Sequence, residues 1–393
     1  MAEALRIAIV AGEASGDALG SGVIAAIRRR FPAASFCGIG GPRMLAAGFE
    51  SWFPQERLAV RGFVEVLRHL PAIFALRREL AQRLLALRPA LVLGIDSPEF
   101  NLGLERRLKR AGLRTAHLVS PQVWAWRRGR IRTIGESVSH LLVLFPFEAD
   151  LYRDAGIEVS YVGHPLADEI PDHLDREALR AELRLPALAR VVAVLPGSRQ
   201  SEIELMAGPF IETAKLVARR VPDARFLVPL ATRETRALFE AAVYRHDARD
   251  LPMTLLFGHT RDALGACDVA LAASGTVTLE AALAHRTLVI AYRVAPLSAA
   301  IARRLVQVPH IGLPNLLCGE AVAPEFLQDD ATPENLAQAV ANLLGDQPVR
   351  RRIEERFARL HRELRRDAAE RAADALAPLL APQPAPLVAP GTP

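Results

Sequence analysis

Lysine is almost missing from this chain of 393 residues: only Lys109 and Lys215 are present, and every other cationic side chain except histidine is arginine. Arginine favours bidentate contact with phosphates, so anionic partners are the expectation. Cysteine is nearly as scarce. Cys37, Cys267 and Cys318 lie far apart, giving neither a zinc spacing nor a disulfide framework, which fits a reducing cytoplasm. Aromatic residues make up 6% and no dense basic run is interleaved with them, so nucleic acid is not an indicated partner. No stretch reaches the ~20 uninterrupted apolar residues of a membrane-spanning helix. A strand and a glycine turn follow Met1 almost at once, which reads as no secretory leader. Also absent are the G-x-G-x-x-G fingerprint and a P-loop lysine, which argues against a dinucleotide oxidoreductase.

What is present begins with RIAIVAGEASGDALGSG, Arg6 to Gly22: a buried strand, a glycine turn and a helix. The turn is acidic, with Glu13 and Asp17 where a phosphate loop carries no carboxylate. Short apolar runs recur at 6–10, 90–95, 115–119, 140–144 and 159–162, bounded by Gly, Pro, Asp or Ser, with Arg-rich amphipathic stretches between them. That order implies a parallel sheet covered by helices. A second set follows at 191–195, 224–228, 253–257, 269–273 and 287–292. Hydrophobic residues make up 51%, enough for two cores, and the net charge is +5. The fold class expected is α/β, with two doubly wound Rossmann-like domains at 1–170 and 171–345. One or two charged C-terminal helices (346–381) are expected to pack back on the first domain, ahead of a Pro-rich disordered tail (382–393).

The second half holds the better phosphate site. The strand 191–195 runs into Pro196-Gly197-Ser198-Arg199 and a helix starting near Ser201; the strand 269–273 runs into Ser274-Gly275-Thr276 and another helix. Arg199 is placed to pair with a diphosphate, and helix N–H groups after Ser274 attract phosphate. Glu280, one turn on, is placed to accept from ribose hydroxyls. Each signal has a plain alternative: S-G-T as an N-cap, Arg199 as a solvated charge.

Taken in order, GEASGD (12–17), GIDSPEFN (94–101), SPQVWAWRRGR (120–130), PFE (146–148), GHPLAD (163–168), LPGSR (195–199), ASGTVTLE (273–280) and GLPNLL (312–317) resemble the lipid-A-disaccharide synthases over about residues 5–375. The resemblance implies a GT-B fold with the active site in an interdomain cleft. It implies inverting, metal-independent transfer from UDP-2,3-diacylglucosamine to 2,3-diacylglucosamine 1-phosphate, with no cofactor. UDP falls to the second domain, through Arg199, Ser274, Gly275, Thr276 and Glu280, with Asn315 on the donor side and backbone near Phe257 and Gly258 reading uracil. The acidic loop, Glu13, Ser15 and Asp17, falls to the acceptor, with helix capping as the alternative for Ser15 and Asp17. Asp96 is the general base the resemblance requires, although Asp before Ser-Pro is also an ordinary turn former. Glu99 is its nearest competitor, and His117 and His164 are further ones.

Acylated substrates imply an anionic inner-membrane surface reached from the cytoplasm. The apolar candidate is Phe63, Val64, Val66, Leu67, Leu70, Ile73 and Phe74, flanked by Arg68, Arg77 and Arg78, with Pro71 expected to split the stretch into two short helices. A core helix is the alternative there. Trp124 and Trp126 are a second candidate contact or buried tryptophans, and a homodimer is compatible with the sequence. The rival functions are a UDP-sugar epimerase or hydrolase of the same architecture and a non-enzymatic basic protein of membrane surfaces.

Overall fold

The computed structural model describes residues 5–58, 63–126, 128–294 and 308–381, with the side chains of 63–69, 125, 126 and 128 outside that description. The expected tail therefore lies outside the described residues. All thirteen described strands pair in parallel, in two sheets. The first comprises β1 (Arg6–Ala11), β2 (Ser35–Ile39), β3 (Glu50–Phe53), β4 (Leu91–Ile95), β5 (Thr115–Leu118), β6 (His140–Val143) and β7 (Val159–Tyr161), in the order β3-β2-β1-β4-β5-β6-β7. The second comprises β8 (Arg190–Leu195), β9 (Ala224–Leu230), β10 (Met253–Phe257), β11 (Val269–Ala273), β12 (Thr287–Tyr292) and β13 (Glu325–Leu327), in the order β10-β9-β8-β11-β12-β13. Strands such as IAIVA read as continuous apolar runs because a parallel sheet is covered on both faces.

In the first unit, Leu91, Leu93 and Ile95 of β4 pack with Val23, Ile24 and Ile27 of α1 (Ala14–Arg30) and with Leu376 and Leu380 of the last described helix, Ala368–Leu380. Val92 points the other way, among Leu76, Leu80 and Leu84 of α3 (Phe63–Leu87) and Leu104 and Leu108 of α4 (Pro98–Arg110). Between them runs the short α2 (Pro42–Ala46). Pro71 does not split α3 as expected. A proline in a helix interior costs ~3 kcal/mol, but Pro71 faces solvent and burial of Leu76, Leu80, Ala81 and Leu84 further along holds the 25-residue helix together.

The chain divides into two compact units, Met1–Pro165 with Arg366–Pro393, and Leu166–Arg365. The two C-terminal helices, expected together on the first domain, are divided: Gln347–Leu364 clusters with the second unit and Ala368–Leu380 with the first.

Candidate active site

In each sheet the strand order reverses once, between β1 and β4 in the first and between β8 and β11 in the second. Ligands of open parallel sheets collect at such a reversal, outside the carboxyl ends of the strands. The loops found there are the ones singled out from sequence. After β1 comes Gly12–Ser15, after β4 Asp96–Ser97; after β8 Pro196–Arg199, after β11 Ser274–Thr276.

At the first reversal the two loops nearly touch. A Cβ on Gly12 would lie 2.8 Å from Ser97 Oγ, so only glycine permits the approach. Asp96 and Ser97 both occupy the left-handed region, at φ 53° and 46°, and their turn aims straight into α4. Asn101 Nδ2, one turn into α4, donates to the Asp96 carbonyl at 2.8 Å. The Asp96 side chain is half-buried, and Glu13 and Ser15 are exposed.

Asp17 requires correction. It is 3% exposed, and its Oδ1 accepts from the N–H groups of Gly41 (3.0 Å) and Met44 (2.9 Å), its Oδ2 from that of Arg43 (2.9 Å). It lies in the first turn of α1 and caps α2, so its carboxylate is committed to the fold rather than to an acceptor sugar or to its own helix. The competitors of Asp96 are also engaged. Glu99 pairs with Arg130 at 3.0 Å. His117 is fully buried against Glu105, Nδ1 to Oε1 2.8 Å. His164 is buried and stacks on Phe145, and burial pushes its pKa down to about 4.

Sequence reasoning missed Glu148. It follows β6 at the same carboxyl edge and is buried. Its Oε1 accepts from Trp124 Nε1 at 3.2 Å and its Oε2 from the Phe145 N–H at 3.1 Å. Burial pushes its pKa up to about 7, against the pull of those hydrogen bonds. Ser120 beside it bonds Tyr152 Oη at 2.6 Å. The signal was the PFE motif, quoted without a role. Trp124 is thus tied into the protein; Trp126 and Arg127 lie outside the described side chains.

At the second reversal Arg199 stands 77% exposed at the start of the helix Gln200–Arg220, with Glu202 3.6 Å away. Glu202 Oε2 accepts from the N–H groups of Ser198 (2.8 Å) and Arg199 (3.2 Å), which rigidifies the turn after Gly197 (φ 121°). Gly275 and Thr276 are exposed at the start of the helix Thr276–Leu283, and Ser274 is half-buried. Glu280 has a raised pKa because burial outweighs the attraction of Arg261, with Glu169 adding to the rise. Two residues expected at the donor are not free for it. Asn315 is fully buried, its Nδ2 donating to Ala323 O and Glu325 Oε1 and its Oδ1 accepting from the Ala323 N–H, each at 2.7 Å. It braces the loop before β13. The Gly258 N–H donates to Leu230 O at 2.8 Å, which leaves its carbonyl, and Phe257 is exposed.

Of the apolar candidates on α3, the side chains of Phe63, Val64, Val66 and Leu67 lie outside the described residues. Leu70 and Ile73 are half-buried, Ile73 against the core; Phe74 is 53% exposed under the Arg77 guanidinium. Among the described residues one group has metal-ligand composition, Asp172, His285 and His361. Its two histidines are 3.1 Å apart and His361 Nε2 lies 2.8 Å from Ala167 O, so the pair closes its own hydrogen-bond chain. It sits beside a cavity of about 580 Å³ at the amino edge of the second sheet, opposite the Arg199 and Ser274 loops.

Several comparisons with known proteins bear on the whole chain. A family model described as lipid-A-disaccharide synthetase matches residues 7–376. A lipid-A-disaccharide synthase of Dechloromonas aromatica is 52% identical over 365 residues, covering 93% of this chain and 96% of that protein. One of Methylobacillus flagellatus is 53% identical over 355 residues, covering 90% and 94%. Among solved structures, Neisseria meningitidis UDP-GlcNAc 2-epimerase bound to UDP-GlcNAc superposes with a TM-score of 0.63 at 11% identity, covering 95% of this chain and all of that one. WaaG, a glycosyltransferase involved in lipopolysaccharide biosynthesis, superposes at 0.54 and 14% identity, covering 94% and 98%. Such low identities speak to the fold alone, which is the GT-B-like pairing of two Rossmann-like units. With the sequence matched from end to end at about half identity, the chain belongs to the lipid-A-disaccharide synthase family of GT-B glycosyltransferases.

Proposed function

We propose that the chain transfers 2,3-diacylglucosamine from UDP-2,3-diacylglucosamine to the 6-hydroxyl of 2,3-diacylglucosamine 1-phosphate, releasing UDP and inverting the anomeric carbon from α to β. Family membership supports the reaction. The two strand-order reversals support a division of labour between the units.

In the first unit Asp96 acts as general base. It takes the proton from the acceptor hydroxyl as that oxygen attacks the anomeric carbon and the bond to UDP breaks, the bonding electrons leaving with the diphosphate. Glu13 and Ser15, exposed on the facing loop, bind acceptor hydroxyls. In the second unit Arg199 and the N–H groups at Gly275 and Thr276 hold the diphosphate. Arg199 contributes most as negative charge develops on the leaving group, and this reading needs no metal ion. Glu280 accepts from the ribose. The acyl chains bring the enzyme to anionic lipid at the cytoplasmic face of the inner membrane, with the Phe74 and Arg77 end of α3 as the contact. No described helix is long and apolar enough to cross a membrane.

The observation that carries the assignment of the base is the place of Asp96: a carboxylate at the carboxyl edge, at the reversal, on a left-handed turn. Asp96→Asn keeps the shape and removes the basicity. Turnover is expected to fall ~10²–10⁴-fold, with UDP affinity unchanged because the nucleotide belongs to the other unit. Near-normal turnover in an assay limited by chemistry refutes the assignment.

A further inference from the structure

Behind Asp96 lies a charged pair that the transfer itself does not use. His117 of β5 stands opposite Gly94 of β4 in register. Its Nδ1 is 2.8 Å from Glu105 Oε1, and both side chains are enclosed, 0% and 1% exposed. A Cβ on Gly94 would overlap Glu105 Oε1 and come within 3.0 Å of Asn101 Cβ, so the missing side chain makes the space that the carboxylate fills. Asn101, one turn before Glu105 on α4, ties three carbonyls together through Nδ2: Asp96 at 2.8 Å, Val10 at 3.2 Å and Ile95 at 3.3 Å. Glu105 and Asn101 therefore sit on the same face of α4, packed against the strand whose end carries Asp96.

Stability is a poor reason for this arrangement. The desolvation penalty of a buried ion pair can exceed its attraction, and an apolar pair of similar volume often does as well or better. Three buried atoms in the same cluster, Asn101 Oδ1, Glu105 Oε2 and His117 Nε2, have no hydrogen-bond partner, although such atoms are uncommon in native interiors. The backbone above them is strained as well. Asp96 and Ser97 are left-handed, and so is Val119 at the end of β5, at φ 78°. Each such residue costs of order 1–3 kcal/mol, and a β-branched side chain there is an outlier. Several unfavourable choices gathered under one exposed carboxylate point to function.

We propose that Glu105 and His117 are positioning residues for Asp96, fixing the turn that carries it and the charge that faces it from inside the unit. The proposal rests on the reading of Asp96 as the base. Burial works to lower the His117 pKa, but Glu105, by charge and hydrogen bond, and Asp96, by charge, outweigh it and hold the imidazole above the ordinary histidine value. The resulting imidazolium is the cation that acts on Asp96. Opposite His117, β4 presents Gly94 and β6 presents Leu141, both uncharged. Glu99, at the start of α4, is already paired with Arg130, and Arg77 lies at its carbonyl.

The test compares Glu105→Gln, His117→Gln and the double variant with the wild type across pH, with melting and UDP affinity measured on each. Each variant is expected to lose ~10²-fold in kcat through displacement of the base, with the acidic limb of the pH–rate profile moved up by about one unit as Asp96 loses its cation. Acceptor KM and UDP affinity are expected to stay near wild type. Glu105→Gln acts like His117→Gln because an enclosed imidazole without its carboxylate gives up its proton. A second reading needs no substitution in the core: nitrogen NMR of labelled histidine in the wild type and in Asp96→Asn, where the His117 midpoint is expected to fall, by the same coupling seen from the other side. Folded variants with wild-type kcat and an unshifted limb overturn the proposal, as does a His117 that titrates alike in both proteins. The two readings fail differently. Near-normal turnover of Asp96→Asn removes the base and the positioning with it; a slow Asp96→Asn beside fast Glu105 and His117 variants removes the positioning alone.

Discussion

Asp17→Ala separates a structural carboxylate from a substrate-binding one. The side chain accepts three backbone N–H bonds at 2.9–3.0 Å. Truncation leaves all three donors without an acceptor. Those of Gly41 and Met44 are buried and cannot turn to water; each costs ~1–3 kcal/mol when unpaired, and the Arg43 donor, nearer solvent, costs less. The sum is about 3–5 kcal/mol. For a unit of this size one kcal/mol moves the melting temperature by ~2–4 °C, so the first unit is expected to melt about 6–15 °C lower. Asp17→Asn is milder: its oxygen retains the Gly41 and Met44 bonds and its amide opposes the Arg43 N–H, a loss of ~1–2 kcal/mol. Melting followed by circular dichroism, with turnover measured well below the transition, reads both quantities. If Asp17→Ala melts with the wild type yet loses turnover, the carboxylate is reading substrate and the structural assignment is wrong.

Three further outcomes are expected. Arg199→Ala, at an exposed position, should weaken UDP binding by ~10–100-fold, the worth of a hydrogen bond to a charged group, without changing the melting temperature; calorimetry showing unchanged affinity removes Arg199 from the nucleotide site. Glu148, with its pKa raised from 4.5 to about 7, binds its proton more tightly in the native than in the unfolded state. Its contribution to stability is therefore present below pH ~4.5 and is lost, by about 3 kcal/mol, as pH rises through ~7; Glu148→Gln should flatten that decline in urea midpoints, and an identical slope contradicts the assignment. Phe74→Ser should leave stability within ~0.5 kcal/mol, as surface substitutions do, and reduce flotation on anionic vesicles; unaltered flotation excludes this end of α3 as the lipid contact.

Period and punctuation made the ten longer strands legible, because a parallel sheet writes each of its buried strands as an uninterrupted apolar run. β2 (SFCGI), β3 (ESWF) and β13 (EFL) escaped for the opposite reason. They are short, and they mix polar residues into runs too brief to carry a period. Pro71 misled because local propensity was weighed without the tertiary burial that overrides it. At the site, the positions of loops were readable, since glycines and strand ends mark the reversal. The commitments of individual side chains were not. Asp17 serves a helix 25 residues downstream, Asn315 closes on Glu325, and Glu105 meets a histidine on another strand. Each partnership depends on contacts between segments that no local window contains. Glu105 itself looks, in sequence, like any charged residue of an Arg-rich helix.

The last described helix carries a consequence for the order of events at synthesis. Ala372, Ala373, Leu376 and Leu380 belong to the same core as Val23, Ile24 and Ile27, and Arg30 of α1 pairs with Glu370 at 2.6 Å. The second unit is in effect an insertion between the first 165 residues and the helix that finishes their core. A ribosome moving from the N-terminus therefore releases α1 with one apolar flank uncovered, and some two hundred residues must be made before the cover exists. The second unit has all its strands and helices in one continuous stretch and is free to close first. A chain cut short before Ala368 would keep a complete second unit and a complete carboxyl edge in the first, and would still be left with a greasy seam along α1. Quality control of the nascent enzyme thus falls on its final helix, a segment that holds no catalytic group at all.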